Sequence, residues 1–209
     1  MFRKALTFLL FASAAEAQPI TQNAYWEGSY VGLTYGNATG STSNFAPNTV
    51  SGAGGAPGFV LGFHTAYGRG SFIYGGEFAY STGAGDSSEP CQNAIITCQS
   101  DLGSLGSVSM HFGTVQGNTL IYANAGIGFA GYDLSTTNTN NGATNSDSIT
   151  AFGATLGVGV DMDIRPSLRV RLQASQYLFT DQDVQFGANP IETFGFGASE
   201  IKLGIISKF

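Results

Sequence analysis

The chain has 209 residues, of which 43% are apolar, 12% aromatic and only 11% charged, with 30 glycines and a formal net charge of −6. So little charge, against roughly 25% in soluble globular proteins, argues against an ordinary water-soluble domain. The acidic balance also excludes a nucleic-acid partner, because no basic patch exists to replace phosphate counterions. The length fits one all-β domain, and the scarcity of helix formers beside so much glycine speaks against helices.

Arg3 and Lys4 precede an apolar run over residues 5–12, and Ala15-Glu16-Ala17 is a small-x-small cleavage site. Residues 1–17 therefore read as a secretory signal peptide, and residues 18–209 as the mature domain. Removing Arg3, Lys4 and Glu16 leaves the mature domain with a formal charge of −7. No other run approaches the ~20 apolar residues of a membrane helix. Export without a helical anchor points to the periplasm, the medium or the outer membrane.

Eight segments alternate with the period of a strand. The first, 26–35, sets Val31, Leu33 and Tyr35 against Tyr30, Gly32 and Thr34. The second, 58–67, opposes Phe59, Leu61 and Phe63 to Val60, Gly62 and His64, and Gly68-Arg69-Gly70 turns it into the third. In that third segment, 71–80, Phe72, Tyr74, Phe78 and Tyr80 alternate with Ile73, Gly75, Glu77 and Ala79. Segments at 103–114 and 119–132 follow, joined through Gln116-Gly117-Asn118, and 150–163 comes next with the turn Ile164-Arg165-Pro166. The seventh segment, 167–179, slips in phase near Ser175, where Tyr177 and Phe179 fall on the other parity; a bulge or the rim of a barrel is expected there. The last, 200–209, carries Ile201, Leu203 and Ile205 on one face and ends on Phe209.

The connections alternate long and short. The long ones are 36–57, 81–101, 133–149 and 180–193. That alternation over eight antiparallel strands, each near the ~9 to 11 residues a tilted strand needs to cross a bilayer, predicts an up-and-down transmembrane barrel. Short turns would face the periplasm and four long loops the outside. The long connections hold eight carboxylates (Asp86, Glu89, Asp101, Asp133, Asp147, Asp181, Asp183 and Glu192) and neither Lys nor Arg, whereas Arg69 and Arg165 lie in short turns. Such a field repels anions at the outer mouth, although solubility alone accounts for it.

Three motifs in this sequence, Trp26-x-Gly28-x-Tyr30-Val31-Gly32, Ile73-Tyr74-Gly75-Gly76-Glu77 and Leu120-x-Tyr122-x-x-x-Gly126, together with the terminal strand, resemble the small OmpA-type outer-membrane barrels of Gram-negative bacteria, the surface-antigen and porin-like proteins. The resemblance spans the mature chain and implies an eight-stranded barrel in outer-membrane lipid and lipopolysaccharide. It also implies that Phe209 belongs to the signal read by the outer-membrane assembly machinery. The sequence departs from the family where inward Arg is usual on the fourth strand, here Ser109 and His111, and where Glu-Tyr is usual on the seventh, here Gln176-Tyr177.

An eight-stranded barrel is just wide enough for side chains to fill it. Glu77, Arg171 and Lys202 fall at similar depth on inward positions, and a lumenal ion network among them is expected, since a carboxylate buried alone is costly. The competing reading leaves these groups merely hydrated. Cys91 and Cys98, an even pair in an exported chain, are expected to form a disulfide across the second long connection. Two thiolates are too few for a metal site; Asp181-x-Asp183 could contribute to a calcium site but lacks a full ligand loop, and no cofactor is expected.

Gly126-Ile-Gly128-Phe-Ala-Gly131 matches the dinucleotide fingerprint but lies within a strand with no helix after it, so its glycines are expected to make room inside the barrel. Asn37-Ala38-Thr39 is a glycosylation sequon without meaning in a bacterium. A lipid-modifying outer-membrane enzyme is a distant alternative: catalysis would need a base, and only the inward His64 and His111, on strands that are not neighbours, are available, so no enzyme is expected. Three readings remain. In the first the barrel is a filled structural or surface-contact protein whose loops meet an extracellular partner; the alternative is a narrow pore preferring cations, and a soluble lipocalin-like binder is distant.

Overall fold

A computed structural model describes residues 26–44, 50–67, 71–83, 85–91, 95–185 and 192–209. The expected signal peptide and the Gly68-Arg69-Gly70 turn lie outside the described residues. Ten strands form in chain order: β1 (Gly28–Ser43), β2 (Val50–Ala66), β3 (Phe72–Thr82), β4 (Asp86–Pro90), β5 (Ile96–Gln116), β6 (Thr119–Asn138), β7 (Thr144–Arg165), β8 (Leu168–Phe179), β9 (Gln182–Val184) and β10 (Glu192–Lys208). Eight of them pair antiparallel in the order β1-β2-β3-β5-β6-β7-β8-β10, and β10 pairs back onto β1, so the sheet closes. β4 adds to β5 as a hairpin, and β9 continues the line of β8 along β10. The Gly126–Gly131 motif lies inside β6, with strand on either side.

Register fixes the shape. One row of paired residues runs Ala38, Glu200, Ser175, Gly157, Asn124, His111, Gly75, His64 and back to β1 at Gly28. The row starts at residue 38 and returns at residue 28, a shear of ten residues. With strands ~4.8 Å apart and ~3.3 Å per residue, that shear tilts them about 40° from the axis.

The alternation read from the sequence sorts the faces as expected. Leu33, Ile127, Val158, Leu172, Leu203 and Ile205 stand exposed on the outer wall, and Tyr30, Val60, Glu77, Tyr122, Arg171 and Ile206 are buried inside. Outward apolar side chains in water would be a liability, but in lipid they are the solvent-matched surface. Leu33, 74% exposed and in the middle of the apolar band, is expected to cost about 2–4 kcal/mol when replaced by Arg. Thr39→Arg, on the same strand above the band, should be close to neutral. Urea unfolding from phospholipid vesicles measures both.

Three departures from the sequence reading have simple causes. First, the long connections are mostly strand. β1 and β2 continue to Ser43 and from Val50, and β6 and β7 to Asn138 and from Thr144. Above the membrane the outer face meets water, so Asn37, Thr39 and Ser41 stand where apolar residues stood below, and the period of two disappears from hydropathy while the backbone keeps it. Second, β8 has no bulge at Ser175. Its register with β7 and β10 runs through that residue without a break, and Tyr177 is simply an inward tyrosine. Third, a bulge does occur on β5 between Leu102 and Ser104, at Gly103, and it switches the inward set from even to odd positions.

Candidate functional site

The lumen is filled in three layers. At the periplasmic end Trp26, Ile73, Val115, Leu120 and Tyr122 pack together. The guanidinium of Arg169 lies 4.2 Å from the Trp26 ring centre while its Nε donates to Asp163 at 3.0 Å.

The middle layer is ionic. Arg171 donates two bonds to Asp161, from Nε at 2.8 Å and Nη2 at 2.9 Å, and a third from Nη1 to Glu77. Its guanidinium sits 5.4 Å from the ring centres of both Tyr30 and Tyr122, and the Tyr30 hydroxyl donates to Glu77 at 2.7 Å. Glu77, Asp161 and Arg171 are all buried, so one cation serves two carboxylates through a planar fork suited to that geometry. His111 Nε2 faces the second oxygen of Glu77 at 3.6 Å and its Nδ1 lies 3.5 Å from His64 Nε2.

The glycines explain how these side chains meet. Tyr30, Gly62 and Glu77 occupy one register row on adjacent strands, and a Cβ at Gly62 would strike the Tyr30 ring that crosses it. His64 and His111 meet over Gly75 in the same way, and Tyr122 reaches Gln173 at 3.2 Å over Gly159. Thus histidines on strands that are not neighbours touch because the strand between them carries no side chain.

Glu77 and Arg171, named together from their depth, are joined here. Lys202 donates its bond elsewhere, from Nζ to Glu200 at 3.1 Å, while its charge lies near enough to act on Glu77. Both Lys202 and Glu200 point inward from β10, two residues apart, so the nearer carboxylate captures the ammonium. Glu200 also accepts from Ser81 at 3.0 Å and Tyr177 at 3.4 Å. The bidentate hold of Asp161 on Arg171 is not among the contacts expected from depth alone. Register supplies the signal, since Asp161 and Arg171 are direct cross-strand partners over the short β7–β8 turn.

The extracellular layer is apolar. Leu102, Leu105, Tyr132, Leu134, Phe194 and Phe196 join Tyr177 and the small residues Ala38, Ala130 and Ala198 in a buried cluster inside the upper barrel. The Tyr132 hydroxyl finds the Gly197 carbonyl at 2.6 Å, which removes the cost of burying it. No helix of the described residues is long and apolar enough to cross a membrane, which says nothing of strands. Among the described residues no group of His, Cys, Asp or Glu is arranged to hold a metal ion. Cys91 and Cys98 are bonded, with Cα atoms 5.3 Å apart, across the β4–β5 hairpin. Phe209 lies 71% exposed at the base of the outer wall, its N–H donating to the Ser29 carbonyl at 3.0 Å.

No curated protein matches the sequence. Solved structures share the fold at low identity. OprG of Pseudomonas aeruginosa is 12% identical with a TM-score of 0.50, the alignment covering 88% of this chain and 96% of that one. Neisserial surface protein A is 14% identical with a TM-score of 0.48, over 87% and 97% of the two chains. Ail, the attachment invasion locus protein of Yersinia pestis, is 12% identical with a TM-score of 0.44, over 86% and 99%. The family described as outer membrane protein beta-barrel domain matches residues 5–200. That span covers most of the chain, from before β1 to the first half of β10, and the chain belongs to this family of integral outer-membrane β-barrel proteins of Gram-negative bacteria.

Proposed function

We propose that the protein is a sealed structural barrel that presents its strand extensions and loops to partners outside the cell, and that it is neither a pore nor an enzyme. The observation that carries this is the burial of large side chains in the lumen among the described residues, above all the apolar cluster of Leu102, Leu105, Tyr132 and Phe196 under the outer mouth. An aqueous path needs polar walls and width, which barrels of about 16 strands supply and eight do not. His64 and His111 are enclosed, 2% and 1% exposed, and a base there meets no substrate arriving from lipid or from solution. The basic start and apolar run of the first 17 residues support reading them as an export signal.

Partners should be cationic or neutral, since the extracellular connections carry no Lys or Arg. A heparin analogue is bound by Ail in one of its structures. Sulfated polyanions are poor candidates for this chain, because nothing at its outer end balances their charge. The test is conductance of the refolded mature protein in planar bilayers, with folding verified by heat-modifiable gel migration. Silence is expected in the folded protein, and stable conductance steps would overturn the sealed-barrel reading.

A further inference from the structure

A groove of 610 Å³ crosses the outer wall from β1 over β10, β8 and β7 to β6. One outward register row runs along it: Asn37, Ile201, Ala174, Val158 and Ala123. The shear lowers that row by about 3 Å per strand, so Ala123 lies about 12 Å deeper in the membrane than Asn37. Ala174 and Ala123 form the floor, and the exposed side chains of Leu156, Val158 and Ile201 stand up around it. The groove therefore descends from the head-group level into the hydrocarbon, and its size falls within the ~300–1,000 Å³ of small-molecule sites.

The mouth of the groove differs from the rest of the outer boundary. On β2, β3, β6 and β7 that boundary is aromatic, with Phe59, Tyr80, Phe129 and Phe152 in one register row through Gly106. On β1, β10 and β8 it is polar and uncharged, with Asn37, Ser199 and Gln176 lining the groove. Higher on β1, Ser41 and Ser43 turn their hydroxyls onto the Gly197 and Gly195 carbonyls at 3.2 and 3.3 Å. Asn37 and Ser199 make no side-chain hydrogen bond among the described residues, and the Gln176 amide makes one, at 3.5 Å to the Tyr177 carbonyl. Cations are missing as well. β1 contains no charged residue, and Arg169, Arg171 and Lys202 of β8 and β10 are buried inside the barrel.

We propose that the groove holds one acyl chain of a membrane glycolipid with a neutral head group, whose sugar hydroxyls are bound by Asn37, Ser199 and Gln176. A chain lying over Ala174 and Ala123 touches Leu156, Val158 and Ile201 on its flanks, contacts that a flat wall does not offer. A sugar at the mouth meets two amides and a hydroxyl, which both donate and accept. A phosphate there meets no cation, so it lacks the charge-assisted bonds by which phosphates are usually held. The inference goes beyond the surface-contact reading, because the groove lies on the outer wall and holds its lipid whether the lumen is sealed or open.

The test is native mass spectrometry of the mature barrel released from phosphatidylcholine nanodiscs that contain small, equal amounts of a monoglucosyl diacylglycerol and a phosphatidylglycerol with the same acyl chains. One retained glucolipid is expected, favoured over phosphatidylglycerol by about 5-fold or more, the effect of one or two net hydrogen bonds. Ala174→Phe, a lipid-facing change compatible with folding, fills the floor and should abolish retention of both lipids. Asn37→Leu combined with Gln176→Met should erase the preference while a chain is still held. Heat-modifiable gel migration verifies that each variant is folded. The proposal is overturned by an unaltered barrel that retains no lipid, retains both equally or carries a second barrel instead, and by retention that survives Ala174→Phe.

Discussion

Arg171→Met is expected to destabilise the barrel by about 3–5 kcal/mol, because it leaves two buried carboxylates with no cation between them. Glu77 and Asp161 both depend on that guanidinium. Neither the Tyr30 hydroxyl nor Lys202, engaged with Glu200, replaces its charge. Equilibrium urea unfolding of the refolded protein in vesicles reads the loss, with Trp26, the sole tryptophan, as the fluorescent reporter. Adding Glu77→Gln should restore part of the stability, with a coupling of about 0.5–3 kcal/mol in the double-mutant cycle. A loss under about 1 kcal/mol for Arg171→Met would place the network in the range of solvent-exposed ion pairs, and a wet lumen would be the better description.

Phe196→Ala is expected to cost a similar amount, about 3–5 kcal/mol, but in a different place. Phe196 packs against Tyr132 with ring centres 4.9 Å apart, in the apolar cluster above the ionic layer. Its loss should loosen the upper barrel without touching the lipid-facing wall, so the effect belongs to partial rather than global unfolding. Amide exchange in the upper parts of β5 and β6 should accelerate by about 100-fold or more, as 1.4 kcal/mol is tenfold. Exchange around Arg171 and Glu77 should change little. Uniform acceleration over the whole barrel would show that the two layers open together.

The sequence made the membrane-spanning part legible because lipid imposes a rule on every second residue. Leu203 or Val158 can be placed outward without any structure, and Glu77 or Arg171 inward by the same parity. Above the bilayer the rule lapses. Residues 36–43 and 133–138 look like loop because glycine, serine, threonine and asparagine satisfy water on one face and close packing on the other. The phase change at Gly103 lacks a hydrophobic signature, and the apparent slip at Ser175 is only a buried, inward aromatic at Tyr177. Partners inside the lumen were only half legible. Depth counted along one strand brings Glu77 and Arg171 together, but it does not say that Asp161 faces Arg171 across a turn or that Glu200 holds Lys202. Those facts reside in register, which the shear of ten residues spreads around the whole circumference.

The crossing of large side chains over glycines has an evolutionary consequence. Tyr30 and Gly62 form one steric unit, as do the His64–His111 pair with Gly75 and Tyr122 with Gly159. A relative that gains a side chain at position 62 must lose the ring at position 30, and then Glu77 loses the hydroxyl that caps it. Changes inside such a barrel should therefore travel as linked pairs on adjacent strands, far apart in the chain. Positions on the lipid-facing wall, where one apolar residue serves about as well as another, should drift independently.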